Sequence, residues 1–544
     1  MTLTGGTRTI RSILAATVAL GTLPALAYAD AAAPAYGVEG DIDAAPRLYN
    51  NLGEYSRSIT TASEAAQAYF DQGLRLAYGF ARGDAARAFR AAQAQDPDCA
   101  MCYWGEAWAL GPYQNNPAGV GAPEDALRAA EAALARANGV EDWERAVIEA
   151  MAARYPEGEE DFATEAYAEA MDEAAAAHDD DPDVRTLHAE ALMMYRPWDL
   201  HEVTEDGVEP HPEAREAIEV LEAVLADDAA HPGSCHLYIH AVEAWEPARA
   251  EDCADSLGAT IPGVSHIPHM PSHIYVHIGR FGDAVAANQQ AVKMDRAAEH
   301  DAAFSVYAGH NMGMLSFAAW LDGQSGVARA AARDLARMHP EDAFFVDLTL
   351  ARFGRWEEIL DREEEPEDGF QSGMWHFAQG LAHLRTDDAD AAEAALKAIR
   401  EVRDDTDEDA TYGFFGHRER DMLGVAERIL AGEIAAADGR IDEAVEHLRR
   451  AVEIEDGFPY AEPEPWALPP RHVLGAVLLE ADRPEEAEAV YRDGLDQHPG
   501  NGWSLRGLEQ SLATQGKDDE ARQAREAFEE AWQRADVWLP ASRF

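Results

Sequence analysis

Two histidine pairs have the spacing that metal chemistry needs. His236 and His240 stand in HPGSCHLYIHAVE, and His269 and His273 in HIPHMPSHIYVHIGRF. Within each pair the residues are four apart, which on an α-helix puts both imidazoles on one face, one turn apart. Two such helices side by side offer four nitrogen ligands to a metal ion. Glu243 shares the face of His236 and His240 and can orient a ligand or serve as one. Zinc, copper, nickel and iron all suit imidazole ligation, and the sequence does not choose among them. The first pair is spaced as in H-E-x-x-H, but Leu237 stands where that motif carries its glutamate base, which disfavours a zinc protease. His231, His266 and His310 are further candidates, and His188 and Glu190 in VRTLHAEALMMYRPW could reach the same region. The plainer alternative is a polar network, with neutral imidazoles bridging helices by donating to carbonyls or to Glu243.

The elements that must position these residues are helical hairpins. In GDAARAFRAAQAQDP, Ala85, Phe89, Ala92 and Pro97 follow a small–large–small–proline spacing, which returns as Ala487, Tyr491, Gly494 and Pro499. Ala444, Leu448 and Ala451 repeat it after Gly439, Ala284 and Ala291 after Gly279, and Ala521 follows Gly516. Small residues let two antiparallel helices approach, while the larger one fills the groove to the next hairpin. The pattern is that of the second helix of a tetratricopeptide repeat (TPR) and predicts an all-α, TPR-like α-solenoid of antiparallel helical hairpins. Counting back from Gly279 puts HIPHMPSHIYVHIG on a first helix, with Ser272 at a small position and Tyr275 at an aromatic one. His269, His273 and His277 then form a neighbouring stripe, on the helix set that lines the concave face of such a solenoid. The expected organisation is a signal segment over residues 1–29, a flexible lead-in over 30–60, and an N-terminal solenoid carrying the histidine site over 61–330. Degenerate helical repeats over 331–425 and C-terminal TPR repeats over 426–544 complete it.

Composition bounds the function. Arg8 and Arg11 followed by SILAATVALGTLPALAYA predict a secretory signal, with Ala27, Tyr28 and Ala29 fitting the A-x-A cleavage pattern. No later segment is apolar enough to span a bilayer, so a periplasmic or extracellular protein is expected. With 102 acidic residues against 44 basic ones, nucleic acid is not an expected partner. The chain contains 4 cysteines, too few for a disulfide-built scaffold. Cys99 and Cys102 form C-x-x-C, but Tyr103 stands where c-type haem attachment needs histidine, leaving a local disulfide or two packed thiols. The acidic stretches LDREEEPEDG and VRDDTDEDATYG lack the EF-hand ligand order and are expected to be solvated loops. AEPEPWALPPRH and HPGNGWSLRGL are expected to be inter-repeat connections with anchoring aromatics.

CAMCYWGEAWALGP, HPGSCHLYIHAVE and HIPHMPSHIYVHIGRF together resemble a group of exported bacterial TPR proteins. Its members carry C-A-M-x-Y-W-G, H-P-G-x-x-H-x-Y-I-H-A-V-E and H-M-P-S-H-I-Y. The resemblance covers nearly the whole chain after the signal segment and implies His231, His236, His240, Glu243, His269 and His273 as motif positions, with His310 and Asn311 matching a following H-N pair. The chain departs from the group at Ala81 and Arg82, at Gly313 and at His277. The expected function is an exported repeat scaffold binding a protein, peptide or small ligand in its concave groove, with a histidine-lined, metal-binding site. The alternative is a metal-dependent hydrolase or oxidase using His236, His240, His269 and His273. In a third reading the histidines only rigidify the solenoid.

Overall fold

The computed structural model describes residues 46–155, 162–204, 207–413 and 415–544. The expected signal segment and the first part of the lead-in lie outside these residues. Within them the chain runs as successive antiparallel helix pairs, as the repeat pattern predicts. The first pair is Glu64–Tyr78 with Arg82–Gln95, and the last is Gly502–Thr514 with Asp518–Ala531. The histidine region contributes Pro232–Val242, Glu251–Leu257, His266–His269 and Pro271–His277, followed by Phe281–Ala298 and Ala308–Leu321. Strand structure among the described residues is confined to two small antiparallel ribbons, His201–Thr204 with Gly207–Pro210 and Thr411–Tyr412 with His417–Arg418. No helix among the described residues is long and apolar enough to cross a membrane.

The small–large–small spacing works as sterics. The Phe89 ring lies where Gly73 and Gly105 leave room for it; a Cβ on those glycines would come within 2.7 and 2.4 Å of the ring. Tyr491 sits in the same way between Gly475 and Gly507, and Leu448 against Gly432. The second helices are amphipathic, as in Ile441–Glu455, which buries Ala444, Val445, Leu448 and Ala451 and exposes the rest to varying degree. The first helices are buried nearly all round, as in Pro470–Glu480. Eight hairpins also share one turn geometry. Two residues before the second helix the backbone takes positive φ, and this position is glycine at 279, 323, 354, 439 and 516. Asp387, Asp482 and Phe80 hold it in the other three. Glycine and aspartate tolerate this conformation; an aromatic residue does so at a cost of about 1–2 kcal/mol.

The solenoid winds so tightly that distant repeats meet. Trp503 Nε1 donates to the Trp320 carbonyl at 2.9 Å, Arg534 pairs with Asp322 at 2.6 Å, and Gly279 packs against the Pro499 carbonyl. The inner helices therefore face one another, and the histidine segment lies in the interior.

From residue 46 the segment expected to be a lead-in is an extended strap along the first hairpin, with Leu52 fully buried. Asp183 clamps it. Its carboxylate accepts from Tyr55 at 2.8 Å, from Tyr78 at 2.5 Å and from Arg57 at 3.0 Å, and His231 Nε2 lies 3.3 Å away. Burial pushes the Asp183 carboxyl up, but the hydrogen bond from His231 and the Arg57 guanidinium outweigh it and leave the group below the usual range. A depressed native pKa contributes stability above the unfolded-state value, and that contribution is lost as pH falls through the native one. Asp183→Asn is thus expected to cost ~3 kcal/mol near neutral pH. In urea unfolding the gap to wild type should narrow on acidification; a gap that does not change with pH would contradict the assignment.

Candidate metal centre

The helix Pro232–Val242 begins with Pro232 in its first turn and His231 as N-cap, whose Nδ1 accepts from the Ser234 amide at 3.0 Å. His231 Nε2 meets Tyr55 Oη at 2.7 Å, so both its nitrogens are engaged and it is a structural residue. One turn further, His236 Nδ1 donates to the Tyr78 carbonyl at 2.6 Å, and His240 Nδ1 to Glu243 Oε1 at 3.3 Å. A carbonyl and a carboxylate only accept, so both Nδ1 atoms carry a proton, and in the neutral ring it is Nε2 that presents the lone pair. Among the described residues neither Nε2 has a hydrogen-bond partner, and both nitrogens of His266 lack one. One nitrogen each from His236, His240 and His266 lie within 4.8 Å of one another. A disulfide between Cys235 and Cys253 ties this helix to Glu251–Leu257, and a second joins Cys99 to Cys102.

A second trio adjoins the first. The short helix His266–His269 leads into Pro271–His277, and His310 arrives on Ala308–Leu321. His269 Nε2 lies 2.8 Å from His273 Nε2, and His310 Nε2 lies 3.3 Å from the same atom. His269 Nδ1 donates to Asn288 Oδ1 at 2.6 Å, and the Asn288 amide is held in that orientation by its own bond to the Ala284 carbonyl at 2.9 Å. His273 Nδ1 bonds Glu462 and lies 3.1 Å from Glu243 Oε2. The other Glu462 oxygen accepts from His277 at 2.5 Å and from Tyr460. Glu243 therefore stands between the trios, one oxygen toward His240 and the other toward His273.

The histidines expected to form one four-ligand site thus divide two and two. His266 completes the first group and His310 the second. His269 is fully buried, and His273, the most exposed of the five buried members, keeps 5 % of its surface. Glu190 does not enter either trio; it pairs with the buried Arg82 and accepts from Trp108 Nε1 at 2.6 Å. Asn311 donates to Asp295 at 2.9 Å and to the Val306 carbonyl at 3.1 Å, away from the imidazoles. His188 groups instead with Asp172 and Glu216. Three residues at the site were not expected from the sequence. Glu462 lies in the stretch taken for an inter-repeat connection. Phe80 stacks beside the first trio, its ring centroid 4.2 Å from that of His236. Asn288 stands between Ala284 and Ala291 where other repeats place Phe89, Tyr491 or Leu448, and a polar residue at that groove-filling position is a signal the sequence carries.

Electrostatics set His273 apart from His236, His266, His269 and His310, all four of which burial pushes down. Burial, reinforced by neighbouring histidines, holds His236 and His266 well below the ordinary imidazole range, so both are neutral. Burial also pushes His273 down, but the Glu462 and Glu243 carboxylates outweigh it and raise it to about 10. A raised value keeps the cation from low pH up to that value, so in metal-free protein near neutral pH the His273 ring should give the nitrogen NMR shifts of an imidazolium. His236 and His266 should give neutral shifts, and Glu462→Gln should lower the His273 transition; a neutral His273 in the wild type would refute this. Phe80 supplies a second check. Because its turn demands the left-handed region, Phe80→Gly should be more stable than Phe80→Ala by about 1 kcal/mol in denaturant melts, the reverse of the usual order in a helix.

No family model matches the sequence, and no curated relative matches it. Solved structures to which the chain is similar include the P58(IPK) TPR domain, 12% identical, with 84% of this chain and 99% of that one covered at a TM-score of 0.23. Yeast Tom70 is 11% identical over 87% of this chain and 92% of its own, at a TM-score of 0.26. These likenesses concern the fold alone and carry no argument about the site. The architecture, a TPR-like solenoid, rests on the helix pairs, turns and packing described above.

Proposed function

We propose that this protein is an exported TPR-like scaffold that encloses a transition-metal ion, with the Nε2 atoms of His236 and His240 and a ring nitrogen of His266 as ligands. The observation that carries the reading is the set of unpartnered imidazole nitrogens in the first trio. A buried polar atom left without a partner costs about 1–3 kcal/mol, and several facing one another are accounted for by a bound cation. The proton-bearing Nδ1 of His236 is held by a carbonyl and that of His240 by a carboxylate, the outer-shell arrangement that fixes tautomer and ring orientation in histidine metal sites. Neutral imidazoles suit zinc or copper, and Glu243 nearby offsets the ion's charge. Glu462 is engaged at both oxygens, by His273 on one and by His277 and Tyr460 on the other, which leaves it no free oxygen to act as a general base, and Glu243 holds His240 through one of its own. That favours holding a metal over hydrolysis. The disulfides Cys99–Cys102 and Cys235–Cys253 support an oxidising compartment and hence export. In this reading the exposed second helices offer the surface to a protein partner.

Elemental analysis of the full chain, purified without a polyhistidine tag and dialysed, should find bound zinc or copper in near-stoichiometric amount. His236→Ala and His266→Ala should each lose the ion, and Glu243→Gln should weaken its retention roughly 10- to 100-fold. Metal content unchanged in both histidine variants would refute the site.

A further inference from the structure

We infer that His269, His273 and His310 hold a second metal ion through their Nε2 atoms, so that the interior carries two adjacent tri-histidine centres joined through Glu243. The inference rests on the metal-binding reading above and extends it to a pair of ions.

Geometry favours it. An ion at the usual metal–imidazole distance sets neighbouring ligand nitrogens about 3.3 Å apart in a tetrahedral site. His310 Nε2 and His273 Nε2 already stand at 3.3 Å, and His269 Nε2 is 2.8 Å from the latter. Two of the three rings cannot turn away. Asn288 pins His269, and Glu462 with Glu243 pins His273, each through Nδ1, which aims Nε2 inward. A single proton on His273 Nε2 would satisfy a contact with His269 alone. It does not explain a third imidazole brought to the same nitrogen, since one N–H serves two acceptors poorly. An ion in place of that proton gives all three a partner, and its binding releases the proton to solvent.

The two trios adjoin each other. His266 and His269 have ring centroids 5.6 Å apart, and His240 and His273 6.1 Å. The Glu243 carboxylate reaches toward an Nδ1 proton on each side, so it acts as a shared positioning residue. Glu462, engaged by His273, His277 and Tyr460, brings a further negative charge beside the second centre. The ligand chemistry is the same in both trios, imidazole only, which suits two ions of one kind.

The test is metal stoichiometry on the full, untagged chain, stripped with a chelator, reloaded with Zn(II) and dialysed. Wild type should retain two zinc ions, His310→Ala one, His266→Ala one, and the double variant none. Circular dichroism and thermal melting check that each variant is folded. His310→Gln, which keeps bulk and polarity at this half-buried position, serves if the alanine variant does not fold. One ion in wild type, lost with His266→Ala and kept with His310→Ala and His310→Gln, would overturn the second site and leave the first. One ion lost only with the His310 variants would overturn the first. No retained zinc in wild type would overturn both. Loading with Cu(II) gives an independent readout. Magnetic coupling between two coppers, absent in either single variant, is expected, and two uncoupled signals would contradict adjacency.

Discussion

A buried imidazole has two nitrogens and can hide neither cheaply, and this constraint organises the N-terminal half of the protein. At His236, His240, His269 and His273 one nitrogen is satisfied outward, by the Tyr78 carbonyl, by Glu243, by the Asn288 amide oxygen and by Glu462. The other points inward. Because the outward partners are all acceptors, each Nδ1 keeps its proton and the Nε2 atoms are left to face one another. The surroundings are shaped to keep this so. The Asn288 amide is locked by the Ala284 carbonyl, and the helix bearing His236 and His240 is stapled through Cys235.

The winding of the solenoid supplies what local structure cannot. Glu462 comes from a connection 189 residues beyond His273, yet its carboxylate meets His273, His277 and Tyr460 at once. It reaches them because the superhelix brings the C-terminal repeats back over the histidine segment, through the contacts of Trp503 with Trp320 and of Arg534 with Asp322. The C-terminal repeats thus do more than extend a scaffold. They close the chamber and set the charge beside His273.

The hairpins were legible because their signals are local and repeated. The spacing of Ala85, Phe89 and Ala92, or of Ala487, Tyr491 and Gly494, specifies helix approach within one repeat. The histidine helices were legible too, since spacing of four settles which residues share a face. Their grouping was not. Whether His240 faces His273 or His266 depends on the packing of separate helices, to which periodicity is blind. His231 and Glu190 looked like ligands by type and neighbourhood, but each found partners from other elements, Tyr55 and Arg82. Arg82 had counted as a departure from the resembled pattern; it proves to be the buried counterion of Glu190. The strap around Asp183 was missed because its hold comes from Tyr55 and Arg57 reaching across the fold, with no periodic signal.

Backbone strain points to the same place as the imidazoles. Of the described non-glycine residues at positive φ, the three aromatic ones, Phe80, Trp198 and Tyr307, all border the first trio. The aspartates in this conformation occupy turns, where it is tolerated. Seven of the eight hairpin turns with this geometry use glycine or aspartate at the left-handed position, and the eighth uses Phe80, whose ring stacks on His240 and His266. Tyr307 begins the helix that carries His310, packs against His266 and shares a 2.9 Å hydrogen bond with Tyr113. Strain of about 1–3 kcal/mol per residue persists only where surrounding structure over-determines it. A turn that glycine would form more easily is held by an aromatic ring that packs against the imidazoles, so the fold gives up local ease for that contact. Three strained aromatic residues from separate segments thus pack around the same group of imidazoles.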